Sequence, residues 1–575
     1  MMMTAPDFRW RLLWCAVAVL FAVFVYFYGL DSQQIPKNGD EYPYEHITRL
    51  TAASGHLLPL QSQMNHMRNT KPPLLFWQGI ISTDWGRHWT LWRLRFPSVI
   101  YTLLTALMAF LLAARLSGQH GVARVEAGTN ALLAYLAFFT TYHYGRPFLT
   151  NPPEVFWLFL PLFTLLYWRP SGFESRVLPP LLGIETGIGL LYKSFALLAP
   201  VGLGLAWCYL HYRAYRWREF LVRDAWKLTV VGILALGLFS MWFVLDPDPM
   251  SVWREFVVGE NVGKFNSHGA GYFSNLLWGG SSIWVMLIGY PVNAGLLAFP
   301  VAVLFFVAYR NRARMNEQEK MLWLWIIVVL IIFCLPNQRS SRYLLEGMPA
   351  LAVLYALNLQ RISRWMFMIS LVVSAGVLAL FAFLALHLQM EMATALYPLW
   401  FWLTMIVAAT GIVLAMLLPR HTPAMTSMAV LLVYFAFAAF LRPFDGAPGN
   451  YSPAVQEYVQ NKPVWVPCDF RAKDEGHRFL LPGAQVHGYY ESPQLTPEKL
   501  AQLYRLFAVQ LPLQDEIGCD SCKVIGQRLE IRGRQSMDEI EDMFRGNVFK
   551  HLFIKELLVE SATAPKTSNQ EEVCR

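Results

Sequence analysis

Stretches of about twenty apolar residues recur along the first three quarters of this chain, each long enough to cross roughly 30 Å of hydrocarbon. We count about thirteen, centred near residues 20, 103, 132, 160, 184, 203, 236, 295, 329, 351, 376, 407 and 433, those near 184 and 351 being short or interrupted. No water inside a bilayer satisfies an open backbone, so these runs must be helices. Only 15% of the residues are charged, against roughly 25% in soluble domains, and mean hydropathy is +0.35. The chain is therefore expected to be an all-α polytopic membrane protein. The first run follows Arg9 and Arg11, as in a signal peptide, but no small-residue cleavage site follows. Tyr26-Phe27-Tyr28-Gly29-Leu30 instead resembles an interfacial aromatic belt, so this helix is expected to be retained.

A net charge of +8 and a pI near 9.0 could suggest a nucleic-acid partner. The basic residues, however, cluster in short loops between apolar runs, where they set topology. One set of alternate loops holds Arg9 and Arg11, Arg115 and Arg124, Arg169 and Arg176, Arg213 to Lys227, Arg310 to Lys320, Arg361 and Arg364, and Arg420. The positive-inside rule then places these loops and the N-terminus in the cytoplasm. Residues 31–90, 142–151, the turn near Lys193, 246–281, 336–342, 387–395 and the tail from about 443 face outward, into the periplasm of a bacterium. We expect a membrane domain over 1–442 and a small mixed α/β domain over 443–575. The latter has strand-like Val464-Trp465-Val466 and Lys523-Val524-Ile525, and a disordered end from about Thr563.

Cys15, Cys208 and Cys334 fall in apolar runs and read as inert thiols. Cys519 and Cys522, with Cys468, lie in the tail; a C-x-x-C suits a disulfide, half a zinc site or a redox pair, and an oxidising compartment favours the disulfide. His46, His56 and His66 share the first outer loop without metal-ligand spacing.

The outward face carries polar groups that a connector does not need. Asp40 and Glu41 stand together before a helical pattern over Tyr44 to Ser54, with Gly55 as its stop. Acids there could cap that helix, or serve as the base of a transferase. Lys71 precedes Pro72 and Pro73, which fix its backbone, and Pro72 to Ile81 forms a second short amphipathic piece. Lys71 could be a snorkelling anchor or a phosphate ligand. The loop 246–281 interleaves charges and aromatics, including Glu260-Asn261-Val262-Gly263-Lys264-Phe265. Arg339 and Arg342, followed by Tyr343, put two cations on the cation-poor side, and Arg146 and Lys193 are single exceptions of the same kind. A cation held near the bilayer against the charge rule calls for a partner, and a lipid phosphate is one.

In this order, Gly39-Asp40-Glu41, Asn69-Thr70-Lys71-Pro72-Pro73-Leu74, Gly189-Leu190-Leu191-Tyr192-Lys193-Ser194, Glu260 to Phe265 and Gln338 to Leu345 resemble the motifs of one family. It is that of the GT-C glycosyltransferases using a polyprenyl-phosphate sugar, near the aminoarabinose transferase of lipid A and the bacterial protein mannosyltransferases. The likeness covers most of the first 350 residues. Arg146-Pro147-Phe148-Leu149-Thr150-Asn151-Pro152 departs from it, with Asn151 where the family usually has an aspartate. Lys264 replaces an arginine, and Glu346 stands where apolar residues are common. These differences set the chain apart from the aminoarabinose enzyme itself.

The resemblance implies an inverting transfer at the periplasmic face of the inner membrane. Asp40 would act as base, with Glu41 as support or alternate, while Lys71, Lys264, Arg339 and Arg342 neutralise the departing polyprenyl phosphate. Arg146, Asn151, Lys193, Glu260, Asn261 and Tyr343 would complete the substrate site. No cofactor is required, and a divalent metal is compatible with the chemistry but not predicted. The acceptor would be lipid A, a lipid-linked glycan, an envelope polysaccharide or a protein. A polyprenyl-phosphate flippase or a non-catalytic lipid-binding protein would use the same cations. A flippase, however, needs charges along a path through the bilayer, which the apolar runs nearly lack.

Overall fold

The computed structural model describes residues 5–35, 38–64, 67–168, 171–265, 271–279, 282–492, 494–532 and 535–563. His66, Arg169, the side chain of Lys264 and the tail beyond Thr563 lie outside the described residues.

Every apolar run falls on a helix. Among the described residues, eight helical stretches are long and apolar enough to cross a membrane: Arg9–Phe27, Leu91–Leu116, Phe195–Tyr212, Ala225–Leu245, Gly289–Arg310, Arg364–Glu391, Leu399–Leu417 and Thr422–Asp445. The protein is a multi-pass membrane protein. The other runs lie on helices that are shorter or carry charge: Gly121–Ala137 and Asn151–Tyr167 (17 residues each), Leu178–Leu190 (13), Met348–Asn358 (11), and Glu317–Cys334, which opens on Glu317, Glu319 and Lys320. A 13-residue helix rises only about 20 Å, so Leu178–Leu190 depends on its neighbours. It packs tightly on Ala225–Leu245 because Gly183 and Gly187 present no side chain: a Cβ at either would come within 2.9 Å of Leu234 or Leu238.

Hydrogen bonds and ion pairs sort the loops into two ends. At one end Arg11 pairs with Glu126, Arg213 with Glu174 and Asp224, His211 with Glu317, and Arg364 bonds to Thr422. At the other end Asp40 pairs with Arg342, Lys71 with Glu260, Asp31 with Arg442, and Glu391 receives the backbone of Val548. Each of these contacts joins loops that the charge pattern assigns to the same side.

The first long loop is ordered by two short helices, α1 (Glu41–Ala53) and α2 (Leu74–Ser82). Gly55, at φ +72°, ends the first, in the left-handed region that glycine enters freely. The C-terminal domain is one five-stranded mixed sheet of β1 (Pro463–Cys468), β2 (Gln485–Tyr490), β3 (Leu506–Leu511), β4 (Cys522–Ile531) and β5 (Phe553–Ser561). The strand order is β2-β1-β3-β5-β4, with β2 and β3 parallel to β1, and β5 antiparallel to β3 and β4. Both strand-like segments of the sequence lie on these strands. Cys519 and Cys522 form a disulfide.

This domain is clamped onto α1. Glu475, fully buried, receives Arg49 on both oxygens, meets His46 Nδ1 at 2.8 Å and takes Arg478 Nε at 2.9 Å. Burial works against its charge, but Arg478, His46 and Arg49 outweigh burial and hold the carboxyl far below its ordinary value. Trp89 stacks on Phe479 at 6.4 Å beside this junction.

Candidate active site

Asp40 occupies the residue just before α1, yet its side chain makes no capping bond. The backbone N–H of Asp40 donates to Asn38 Oδ1, and the carboxylate turns into a cavity of about 300 Å³, where Oδ2 lies 2.6 Å from Arg342 Nη1. The capping reading therefore fails for Asp40. Arg342 is held on its far side by Asn151, whose Oδ1 accepts from Nε at 3.1 Å and from Nη2 at 2.6 Å. The guanidinium lies 4.6 Å from the centre of the Tyr144 ring. Asn151 thus aims a cation at Asp40, which an asparagine oxygen does as well as a carboxylate and without neutralising the charge.

Lys71 and Lys193 enter from two other loops. Asn69 and Ser251 both bond to Glu255, tying the Lys71 segment to the 246–261 stretch. The Lys71 ammonium donates to Thr70 O at 2.9 Å and to Glu260 Oε2 at 3.2 Å. Leu74 N donates to Leu191 O, which brings the Lys193 turn alongside. Lys193 Nζ lies 2.7 Å from Glu154 Oε2, which also receives Asn151 Nδ2 at 3.2 Å. Asn261 accepts from Ser194 Oγ at 2.6 Å and donates to Phe256 O.

A second cavity, of about 490 Å³, opens from the same wall. Lys71, Lys193, Glu260 and Tyr343 line both. Beyond them the second cavity is lined chiefly by apolar residues, among them Phe195, Leu197, Phe256, Ile332, Phe333 and Leu335. An acid and an arginine thus stand in a polar chamber, two lysines stand at its boundary, and an apolar groove leads away. That arrangement suits an amphiphile with an anionic head and a long tail.

Three expected site residues are placed elsewhere. Glu41 is 2% exposed and receives Arg95 on both oxygens, at 2.8 and 2.9 Å, and the Phe148 N–H at 2.7 Å. Held by Arg95 and the Phe148 N–H, and lining neither cavity, it anchors the start of α1. Arg146 is fully buried, donates to Tyr26 O and Tyr28 O, and sits 4.7 Å from the Tyr142 ring centre. Arg339 donates to Cys334 O and lies over Tyr272. Neither arginine lines either cavity. Both brace the backbone near a membrane boundary, and backbone carbonyls there satisfy a cation as a phosphate would.

The sequence reading missed Glu154, Tyr44, Phe470 and Arg471. Glu154 follows Asn151 by one helical turn and reads as an ordinary first-turn acid. Buried beside Lys193, it pairs with that lysine and lines the apolar cavity. Phe470 and Arg471 reach the polar chamber from the C-terminal domain. Among the described residues, no cluster of three or more His, Cys, Asp or Glu has metal-site geometry. His46 is engaged by Glu475, and His56 is exposed.

Residues 37–255 match the family model described as dolichyl-phosphate-mannose-protein mannosyltransferase. ArnT from Cupriavidus metallidurans, bound to undecaprenyl phosphate, superposes with a TM-score of 0.62 over 96% of this chain and 99% of its own, at 17% identity. The chain has the GT-C fold of ArnT. The same protein in its apo state gives a TM-score of 0.58 over 98% and 100% of the two chains, at 16% identity. In sequence, the undecaprenyl phosphate-alpha-4-amino-4-deoxy-L-arabinose arabinosyl transferase 2 of Proteus mirabilis is 26% identical over 59% of this chain and 58% of its own length. The enzyme of that name from Pseudomonas fluorescens is 28% identical over the same shares. The chain thus spans somewhat under two thirds of the length of these relatives in sequence, whereas the ArnT fold extends over nearly all of it.

Proposed function

We propose that the protein is an inverting glycosyltransferase that moves a sugar from a polyprenyl-phosphate donor to an acceptor at the periplasmic face of the bacterial inner membrane. The observation that carries this reading is the continuous pair of cavities, an apolar groove ending on Lys71 and Lys193 and a polar chamber beyond them holding Asp40. The relatives named for an undecaprenyl-phosphate sugar support that donor class. In this reading residues 1–442 form the membrane domain and 443–575 a periplasmic domain, with the arginine-rich loops and the N-terminus in the cytoplasm.

The polyprenyl tail lies in the groove, and its phosphate takes the place of Glu260 on Lys71. Glu260, already partly exposed, then turns to solvent. An acceptor oxygen enters beside Asp40, which removes its proton or orients it, and Arg342 fixes the carboxylate. That oxygen forms a bond to the anomeric carbon, and the bond from this carbon to the phosphate oxygen breaks with inversion. The pair of electrons leaves with the polyprenyl phosphate, which needs no proton because Lys71 and Lys193 balance its charge. Asn261 and Tyr343 complete the donor side.

The direct test is binding of undecaprenyl phosphate to the purified full-length protein in nanodiscs, with mass spectrometry of envelope glycolipids and glycoproteins from cells with and without the gene. Saturable binding and the loss of one glycoconjugate are expected. An unchanged envelope, or a protein indifferent to undecaprenyl phosphate, would sink the reading.

A further inference from the structure

The polar chamber has one cation that the transfer chemistry above leaves unused. Of its four, Lys71 is paired with Glu260, Lys193 with Glu154 and Arg342 with Asp40. Arg471, an exposed side chain, is paired with no carboxylate among the described residues; its guanidinium lies 5.1 Å from the centre of the Phe470 ring. Its Nη1 would lie 3.6 Å from a Cβ placed on Gly39, so the charge hangs directly over the residue before Asp40.

The loop that presents Arg471 is built. It leaves β1 after the disulfide-bonded Cys468, and Asp469 Oδ1 accepts from Arg471 N at 2.9 Å and from Lys473 N at 3.2 Å. Ala472 is buried in the left-handed region at φ +54°, a strained conformation that the packing around it maintains. Lys473 is tied to Gln510 on β3. Phe470 is 65% exposed, an aromatic face left beside a polar chamber. Such a face suits the apolar side of a sugar ring.

Position decides which substrate these residues serve. The donor phosphate belongs to the wall shared by both cavities, whereas Arg471, Phe470, Asp40 and Arg342 line the polar chamber alone. On that side Asp40 already neutralises Arg342. We infer that Phe470 and Arg471 form the acceptor subsite, Arg471 being a specificity-determining residue that selects an acceptor bearing an anionic group beside its sugar or hydroxyl. The inference rests on the function proposed above. It gives the C-terminal domain a task in recognition, since without it the chamber has no unpaired cation.

The experiment uses the full-length protein in nanodiscs preloaded with undecaprenyl phosphate. Ligand-observed NMR titrates N-acetylglucosamine 1-phosphate against N-acetylglucosamine. The wild type is expected to prefer the phosphorylated sugar at least about tenfold, as one charge-assisted contact supplies. Arg471→Gln should abolish that preference and Arg471→Lys keep part of it, with undecaprenyl phosphate affinity unchanged within about twofold and the unfolding temperature unmoved. A preference that survives in Arg471→Gln, or is absent from the wild type, overturns the inference. So does a parallel fall in undecaprenyl phosphate affinity, which would assign Arg471 to the donor. A wild type that fails to bind undecaprenyl phosphate removes the proposed function itself, and this inference with it.

Discussion

Asp40 and Arg342, 302 positions apart in the chain, meet at 2.6 Å, and Asn151 holds the arginine from behind. The pair fixes a carboxylate at the edge of a cavity whose donor-side wall is cationic. Arg342 holds that carboxylate by Oδ2, and Asp40 lines the chamber.

Replacing Asp40 by asparagine keeps the shape and removes the proposed base. Transfer should fall at least about a hundredfold, the ordinary contribution of a positioned general base. Undecaprenyl phosphate binding should stay within about threefold, since donor cations are untouched. Single-turnover transfer and equilibrium binding separate the two, and undiminished transfer in Asp40→Asn would remove Asp40 from the chemistry.

Lys71→Ala should weaken undecaprenyl phosphate about tenfold to a hundredfold, the worth of a hydrogen bond to a charged group. Lys71→Arg should restore most of the loss. Lys193→Ala is the less informative variant, because it strands the buried carboxylate of Glu154 and should also lower the unfolding temperature. Equal donor binding by Lys71→Ala and wild type would move the phosphate elsewhere.

Glu41 and Arg95 form a buried bidentate pair, so Glu41→Gln should destabilise the fold by about 3–5 kcal/mol, the cost of breaking such a pair on one side. The double variant Glu41→Gln, Arg95→Met should be less damaged than the sum of its parts. In whatever fraction stays folded, the pH–rate profile should keep its wild-type shape. A shifted acidic limb in Glu41→Gln would return Glu41 to the role of base.

The clamp between α1 and the C-terminal domain should respond to acid. Glu475 is held far below its ordinary 4.5 by Arg478, His46 and Arg49, with Glu45 and Asp474 also facing it. A carboxylate depressed on folding contributes stability that is complete above its unfolded value and is lost as pH falls towards its folded one. The unfolding-temperature gap between wild type and Glu475→Gln should therefore be full at neutral pH and shrink below about pH 4.5. Glu45, buried beside Glu41 and Glu475, is pushed the opposite way. A gap independent of pH would show that the ionised form of Glu475 does not hold the clamp.

Much of the site was legible because membrane sequences make polar exceptions conspicuous. Asp40, Lys71, Lys193, Glu260 and Arg342 stood out as charges gathered on one face, and all five line the cavities. The same signal also picked out Arg146 and Arg339, which brace backbone carbonyls. A break in the charge rule says that a cation has a partner, and it does not say whether that partner is a ligand or the chain itself. Glu154 was overlooked because an acid in the first turn of a helix already has a local explanation.

The amino-acid sequence by itself determined the membrane-spanning character, the grouping of loops into two faces and the acid–cation chemistry at one of them. These follow from hydrophobicity and charge, which act residue by residue. The tertiary structure alone decided that Asp40 faces the chamber while its neighbour Glu41 is spent on Arg95, and that Arg471 of the C-terminal domain lines the same chamber. Those outcomes depend on which side chains meet across long separations in the chain, where a carboxylate goes to the nearest cation that packing presents.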